Sequence, residues 1–176
     1  MAKILETERM ILRELSPDDA DFILVLLNTP TWLQFIGDRN VKNVEQARKY
    51  IAEGPLRSYR ENGFGLSLVE LKESDIPIGV CGLLKRDGLE YPDLGFAFLP
   101  QYTKKGYAFE VASATIAFAC ANLRISTILA VTTPDNERSI RLLSKIGFAF
   151  ENMVTLPDKH EEMMLHKFRR EGQNPP

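Results

Sequence analysis

The residues with the clearest chemical potential lie in one short run, Leu99-Pro100-Gln101-Tyr102-Thr103-Lys104-Lys105-Gly106-Tyr107-Ala108-Phe109-Glu110. An apolar strand pattern stops at Leu99, a polar loop with two lysines follows, and Gly106 opens a long helical pattern. A helix start presents backbone amides with no partner and the positive end of the helix dipole, which together suit a phosphate. Gly106 removes a side chain where a phosphate would approach, and Lys104 and Lys105 add positive charge. The run therefore reads as a pyrophosphate cradle or, on the blander reading, as a surface strand-to-helix turn with solvated lysines. Asn136 opens a second helical segment. Taken alone, Asn there reads first as an N-cap, its side chain accepting from a free amide of the first turn.

Other reactive residue types are scarce. Cys81 and Cys120 each sit in an apolar run, which predicts buried free thiols. His160 and His166 have no cluster of Cys or carboxylates around them, so no metal site is expected. Lys42, Arg48, Lys49 and Arg60 read as a solvated helix face.

The elements that position these residues follow from periodicity. Arg9 to Leu15 alternates as a strand. Ser16-Pro17-Asp18-Asp19 reads as a helix start, with Ser16 as N-cap and Pro17 in the first helical position. Residues 31–43 read as a short helix and loop, and Val44 to Asn62 as a helix stopped by Gly63. Gly65 to Leu71, Ile78 to Leu84 and Asp93 to Leu99 then form an antiparallel meander with short polar connections. A helix from Gly106 to Asn122, a strand from Thr127 to Thr132, a helix from Asp135 to Lys145 and strands at Phe148 to Phe150 and Met163 to Phe168 complete the chain. This order, β-αα-βββ-α-β-α-ββ, predicts one α+β domain over residues 1–168 with a mixed, mostly antiparallel sheet. Residues 169–176, polar and ending in two prolines, read as a frayed tail.

The 176 residues are 44% apolar and 26% charged, enough for one sizeable core. A formal net charge of −2 argues against a nucleic-acid backbone as partner. No run approaches the ~20 apolar residues of a membrane span, and the N-terminus has no apolar signal core, so the cytoplasm is the default compartment.

Several of these stretches resemble the GNAT superfamily of N-acetyltransferases. Gln101 and Gly106 match the ends of its acyl-CoA motif Q/R-x-x-G-x-G/A, while Lys104 stands where the first glycine is usual and Thr103 where Trp is common. Gly-Tyr-Ala-x-Glu at 106–110, Thr7-Glu8-Arg9 with Arg13, and Asp93-Leu94-Gly95-Phe96 are similar to the ribosomal-protein alanine acetyltransferase (RimJ/RimL-like) branch. Asn136 to Phe148 resembles the family's N-x-x-S-x-x-x-L-x-K-x-G-F. The resemblance spans residues 6 to 168.

It implies a splayed strand pair that admits acetyl-CoA, and direct acetyl transfer to an amine in a ternary complex. The acceptor is either a small molecule or a protein N-terminus. The implied coenzyme contacts are Phe98, Leu99, Lys104, Lys105, Gly106, Tyr107, Ala108 and Asn136. The amides of Phe98 and Leu99 would polarise the thioester carbonyl, while Pro100, which has no N–H, ends the pairing. Asp93 is implied as the base, with Glu90 as a second carboxylate, and Ser139 as a donor to the leaving thiolate. Leu143 stands where many members carry an acidic Tyr. Trp32, Phe35 and Tyr102 are candidates for the acceptor pocket. The alternative is a non-catalytic acyl-CoA sensor with the same fold. Monomer and homodimer both remain open.

Overall fold

The computed structural model describes residues 2–170 of the chain. In chain order its strands and α-helices are β1 (Lys3–Glu6), β2 (Met10–Glu14), α1 (Ala20–Leu27), α2 (Pro30–Phe35), α3 (Val44–Ile51), α4 (Arg57–Asn62), β3 (Leu66–Leu71), β4 (Pro77–Leu84), β5 (Asp93–Phe98), α5 (Tyr107–Asn122), β6 (Thr127–Thr132), α6 (Glu137–Lys145), β7 (Ala149–Val154) and β8 (Met163–Arg169). The strands form one mixed, mostly antiparallel sheet in the order β1-β2-β3-β4-β5-β6-β8-β7.

The sheet has eight strands rather than the seven expected, because Lys3–Glu6 pairs with β2. Four residues are too few for an alternation to stand out. The strand is defined by its partner and by the Thr7 turn, where the Thr7 amide donates to the Met10 carbonyl at 2.9 Å. At the other end, Arg169 belongs to β8 rather than to the tail. It pairs with Thr127, and the Arg170 amide donates to the Ser126 carbonyl at 3.0 Å. Residues 171–176 of the expected tail lie outside the described residues.

The stretch Val44–Asn62 is helical throughout, with a π turn at Ala52–Leu56 between α3 and α4. Pro55 lies inside that turn; it has no N–H to continue the α ladder, and a local widening absorbs the defect. Gly63 ends the stretch in the left-handed region at φ +73°, its amide donating to the Tyr59 carbonyl.

Alternation along the strands divides the apolar side chains between the two faces. On one face Met10, Leu12, Val69, Ile78, Leu94 and Phe98 pack with Val111, Ile116 and Leu143 of α5 and α6. On the other, Leu66, Leu68 and Val80 pack with Ile23, Leu26, Trp32, Ala47 and Ile51 of α1, α2 and α3. Each face buries a full helical layer, which fixes the register of the central strands.

The exception to continuous pairing is the centre of the sheet. β5 and β6 run parallel and share a single paired position, Asp93 with Leu129. The Leu129 amide donates to the Pro92 carbonyl at 2.9 Å, and beyond that point the strands diverge.

Candidate active site

The divergence of β5 and β6 opens a cleft of about 630 Å³. Its walls come from β5, β6, the loop before α5, the first turns of α5 and α6, and α2. Hydrogen-bond alternation determines what each wall offers. The Leu99 amide donates to the Ile78 carbonyl at 2.9 Å. In an antiparallel pair, alternate residues along the strand then face β4, and those between them face away. The amides of Phe96 and Phe98 therefore point towards β6, where no strand stands opposite them. The same rule on the far wall, anchored by the Arg170-to-Ser126 bond, turns the amide and carbonyl of Val131 into the cleft. Phe98 keeps the expected position. Leu99 does not: its amide is bonded within the sheet, its side chain packs in the core on the α1–α3 face, and it is absent from the cleft lining. The free amide partnering Phe98 belongs to Phe96, because only every second residue faces the gap.

The loop between β5 and α5 begins with a 3₁₀ turn at Pro100–Tyr102. Lys104 lies at φ +62° and Gly106 at φ +84°. The position of the usual first glycine thus still demands a left-handed backbone, and a lysine adopts it. The amides of Lys104, Lys105, Gly106, Tyr107, Ala108 and Phe109 have no partner among the described residues, while Glu110 is the first to close the helix, donating to the Gly106 carbonyl at 3.1 Å. Consecutive unpaired amides around left-handed residues form an anion-binding concavity, reinforced by the dipole of the 16-residue α5. Lys104, Gly106, Tyr107 and Ala108 line the cleft; the Lys105 side chain does not, its Nζ lying 5.5 Å from the centre of the Tyr102 ring.

Arg9 and Glu110 hold this loop in shape. The Arg9 amide and Nε donate to the Glu110 carboxylate at 2.9 and 2.7 Å, and Nη1 donates to the Lys105 carbonyl at 3.1 Å. The guanidinium also lies over the Tyr107 ring at 4.5 Å. A Cβ at Gly106 would stand 3.3 Å from Arg9 Nη2, so the glycine serves both the backbone angle and this contact. The sequence contains both partners, but 101 positions separate them, and only the pairing of β2 beside α5 reveals the lock.

On the opposite wall, Asn136 caps α6, its side chain accepting from the Ser139 amide at 3.2 Å, and it also lines the cleft. The cap uses Oδ1, and Nδ2 has no partner among the described residues. Ser139 lines the cleft too, with a hydroxyl that has no partner among the described residues. Leu143 is buried and closes the cleft with hydrocarbon. Arg138 and Lys145 line the cleft with Lys104 and add positive charge, while Arg141, also in the lining, is paired with Glu137 at 2.9 Å.

At the closed apex, Asp93 is fully buried, and both its oxygens accept from Arg86 Nε, at 2.8 and 3.0 Å. Burial pushes its carboxyl above the usual carboxylate range, against the opposing pull of the Arg86 guanidinium. Glu90 is not part of the cleft lining. Trp32, Phe35 and Tyr102 all line the cleft, as do Arg39, Tyr50 and Arg86, which periodicity and spacing did not single out. Among the described residues no helix is long and apolar enough to cross a membrane.

Comparison with known proteins gives a consistent picture. A family model described as "Acetyltransferase (GNAT) domain" matches residues 9–149. The uncharacterized N-acetyltransferase YoaA of Bacillus subtilis is 31% identical over 156 residues, covering 88% of this chain and 87% of that one. Among solved structures, the ribosomal-protein-S5-alanine acetyltransferase of Vibrio fischeri superposes with a TM-score of 0.80 at 19% identity, over 97% of this chain and 98% of that one. The ribosomal L7/L12 alpha-N-protein acetyltransferase RimL, solved in complex with coenzyme A, gives a TM-score of 0.80 at 16% identity, over 96% and 98%. At these identities the two structures speak for the fold.

Proposed function

Since this chain belongs to the GNAT family of N-acetyltransferases, whose members use acetyl-CoA, we propose that it transfers the acetyl group directly to a primary amine in a ternary complex. The observation that carries this reading is the meeting, in one cleft, of the unpaired amides from Lys104 to Phe109 with the unpaired amides of Phe96 and Phe98 on a splayed strand. The first set suits a pyrophosphate. The second lies where an extended amide-bearing arm would replace the missing strand, with Val131 opposite.

Bound acetyl-CoA supplies an activated thioester carbonyl. The Phe98 or Phe96 amide donates to the carbonyl oxygen, where negative charge develops, in a cleft walled by Leu94, Leu142 and Leu143 that strengthens the interaction. Lys104, Arg138 and Lys145 attract phosphates at the open end, and Nδ2 of Asn136 is free to donate to the arm. Asp93 accepts the ammonium proton, its raised proton affinity suiting that task. The amine nitrogen then bonds to the acetyl carbon, the carbon–sulfur bond breaks, and the sulfur leaves as a thiol after taking one proton. The Ser139 hydroxyl donates a hydrogen bond to the departing sulfur.

The test follows free thiol while the protein is supplied with acetyl-CoA and a panel of amines, amino acids and peptide N-termini. Amine-dependent thiol release with a matching acetylated product supports transfer. Tight coenzyme binding with no turnover across the panel would instead favour an acyl-CoA sensor, and a buried Asp93 closed off by Arg86 is the feature that would explain it.

A further inference from the structure

Building on the acetyl-transfer reading, we propose that the acceptor is a small primary amine that also carries a carboxylate. The end of the cleft beyond Phe98, lined by α2, the loop after it, α3 and the approach to β5, is stocked with donors. Arg86 uses only Nε on Asp93, and the two Nη groups have no partner among the described residues. Arg39 has one counter-charge, Asp158 at 4.0 Å, too far for a hydrogen bond. The Tyr50 hydroxyl has no hydrogen-bond partner among the described residues, and burial pushes it above its ordinary range, so it stays protonated and able to donate. The indole Nε1 of Trp32, a residue only 4% exposed, has no partner either.

The side-chain acceptors with a partner at this end are Asp93 and Thr29. Both oxygens of Asp93 accept from Arg86, and the Thr29 hydroxyl accepts from the Trp32 amide at 3.4 Å while donating to the Leu26 carbonyl at 2.8 Å. Lys159 adds a further positive charge behind Arg39, its Nζ donating to the Ile36 carbonyl at 2.6 Å. Its proton affinity is lowered first by burial and then by Arg39, opposed by Asp158 and Glu161. A pocket with two guanidinium groups, a phenol and an orphaned indole N–H, whose one carboxylate, Asp93, is already shared with Arg86, is built for an acceptor-rich anion. Beyond the single ammonium that meets Asp93, a polyamine would find like charge there. The carboxylate binds between Arg39 and Arg86, and the amine is left to face the thioester carbonyl beside Phe98.

The experiment compares acceptors with and without that carboxylate: L-alanine with L-alaninamide, and the dipeptide Ala-Gly with its C-terminal amide, with spermidine as the polycation. The acid is expected to exceed its amide in kcat/KM by about tenfold or more in at least one pair, with spermidine poorest. Arg39→Gln should reduce that ratio to near one, and Arg86→Lys, which keeps charge but loses the planar fork, should lower it. Calorimetric binding of the same compounds to the CoA-saturated protein reads the preference without turnover. Amides or spermidine equal to the acids in both assays, or an acid preference untouched by both variants, would overturn the proposal. Turnover of amines without acid preference would leave acetyl transfer standing. Acid-selective binding without turnover would support the anion pocket and remove the transfer reading.

Discussion

Lys104 holds a backbone angle of φ +62°, in the region where a side chain is strained and glycine is not. The same residue adds charge to the cleft lining, at the end where we propose the phosphates bind. These two effects oppose each other on substitution. Lys104→Gly should raise stability by up to about 1 kcal/mol in a denaturant melt, because relief of strain exceeds the entropy that glycine adds to the unfolded chain. Its coenzyme affinity should fall only by roughly threefold, the loss of one partly screened charge. Asp93 is the other residue on which the proposed mechanism turns. If it accepts the proton, Asp93→Asn should cut kcat by about 100-fold or more while the KM for acetyl-CoA stays put. An unchanged kcat would reduce Asp93 to the anchor of Arg86. Ser139→Ala with unchanged kcat would likewise remove that hydroxyl from the chemistry.

At the scale of elements, the loop before α5 is held by the pairing of Arg9 on the β1–β2 turn with Glu110 on α5. The Arg9 side chain is 42% exposed, so the charge contribution is partly screened by water. Geometry is the larger effect: the same guanidinium fixes the Lys105 carbonyl and thereby the neighbouring amides. Glu110→Gln should cost about 1 kcal/mol of stability and raise the KM for acetyl-CoA several-fold with kcat little changed. Steady-state kinetics at saturating acceptor separates the two parameters, and a drop in kcat alone would contradict a positioning role. The splay has an elemental cause too. β5 is bonded to β4 along its whole length, whereas β6 is bonded to β8, so neither strand can bend to close the gap without breaking a ladder.

For the molecule as a whole, the two halves of the sheet meet at the single Asp93–Leu129 pairing and across the apolar layer under α5 and α6. In the second half, His166 is buried, its Nε2 3.0 Å from the Thr132 hydroxyl. Burial holds its pKa below the ordinary 6.5. The unfolded chain therefore binds the proton more readily than the folded one. The stability present above pH 6.5 is lost as pH falls through the folded value. Urea melts stepped downward from neutral pH should show this decline, and His166→Gln should flatten it. A further loss belongs to the carboxylates held below their ordinary range, Asp19, Asp38 and Glu110. Their contribution is present above the unfolded values near 4 and disappears only below them, so the two limbs separate on the pH axis.

The sequence by itself determined the family, the α+β order of elements, and the loop at Lys104 to Ala108 as the coenzyme contact worth testing. The family rests on the resemblance of short motifs in order, and the rest on local information: alternation in Leu66–Leu71, β-branching in Thr127–Thr132, the stop at Gly63, and a glycine placed one residue before a long helix. Tertiary structure decided what depends on partners distant in the chain. Lys3–Glu6 became a strand only through β2, and the Leu99 amide was taken by Ile78, which shifted the free donor to Phe96. Asp93 proved to be paired with Arg86, and the Arg9–Glu110 lock bridged 101 positions. Arg39, Tyr50 and Trp32 converged on one pocket from two helices and the loop between them. The physical reason is common to all of these. Periodicity and capping record how a residue relates to its neighbours within a few positions. Which backbone amide is free, and which charge is left without a counter-charge, depends on what the fold places opposite it.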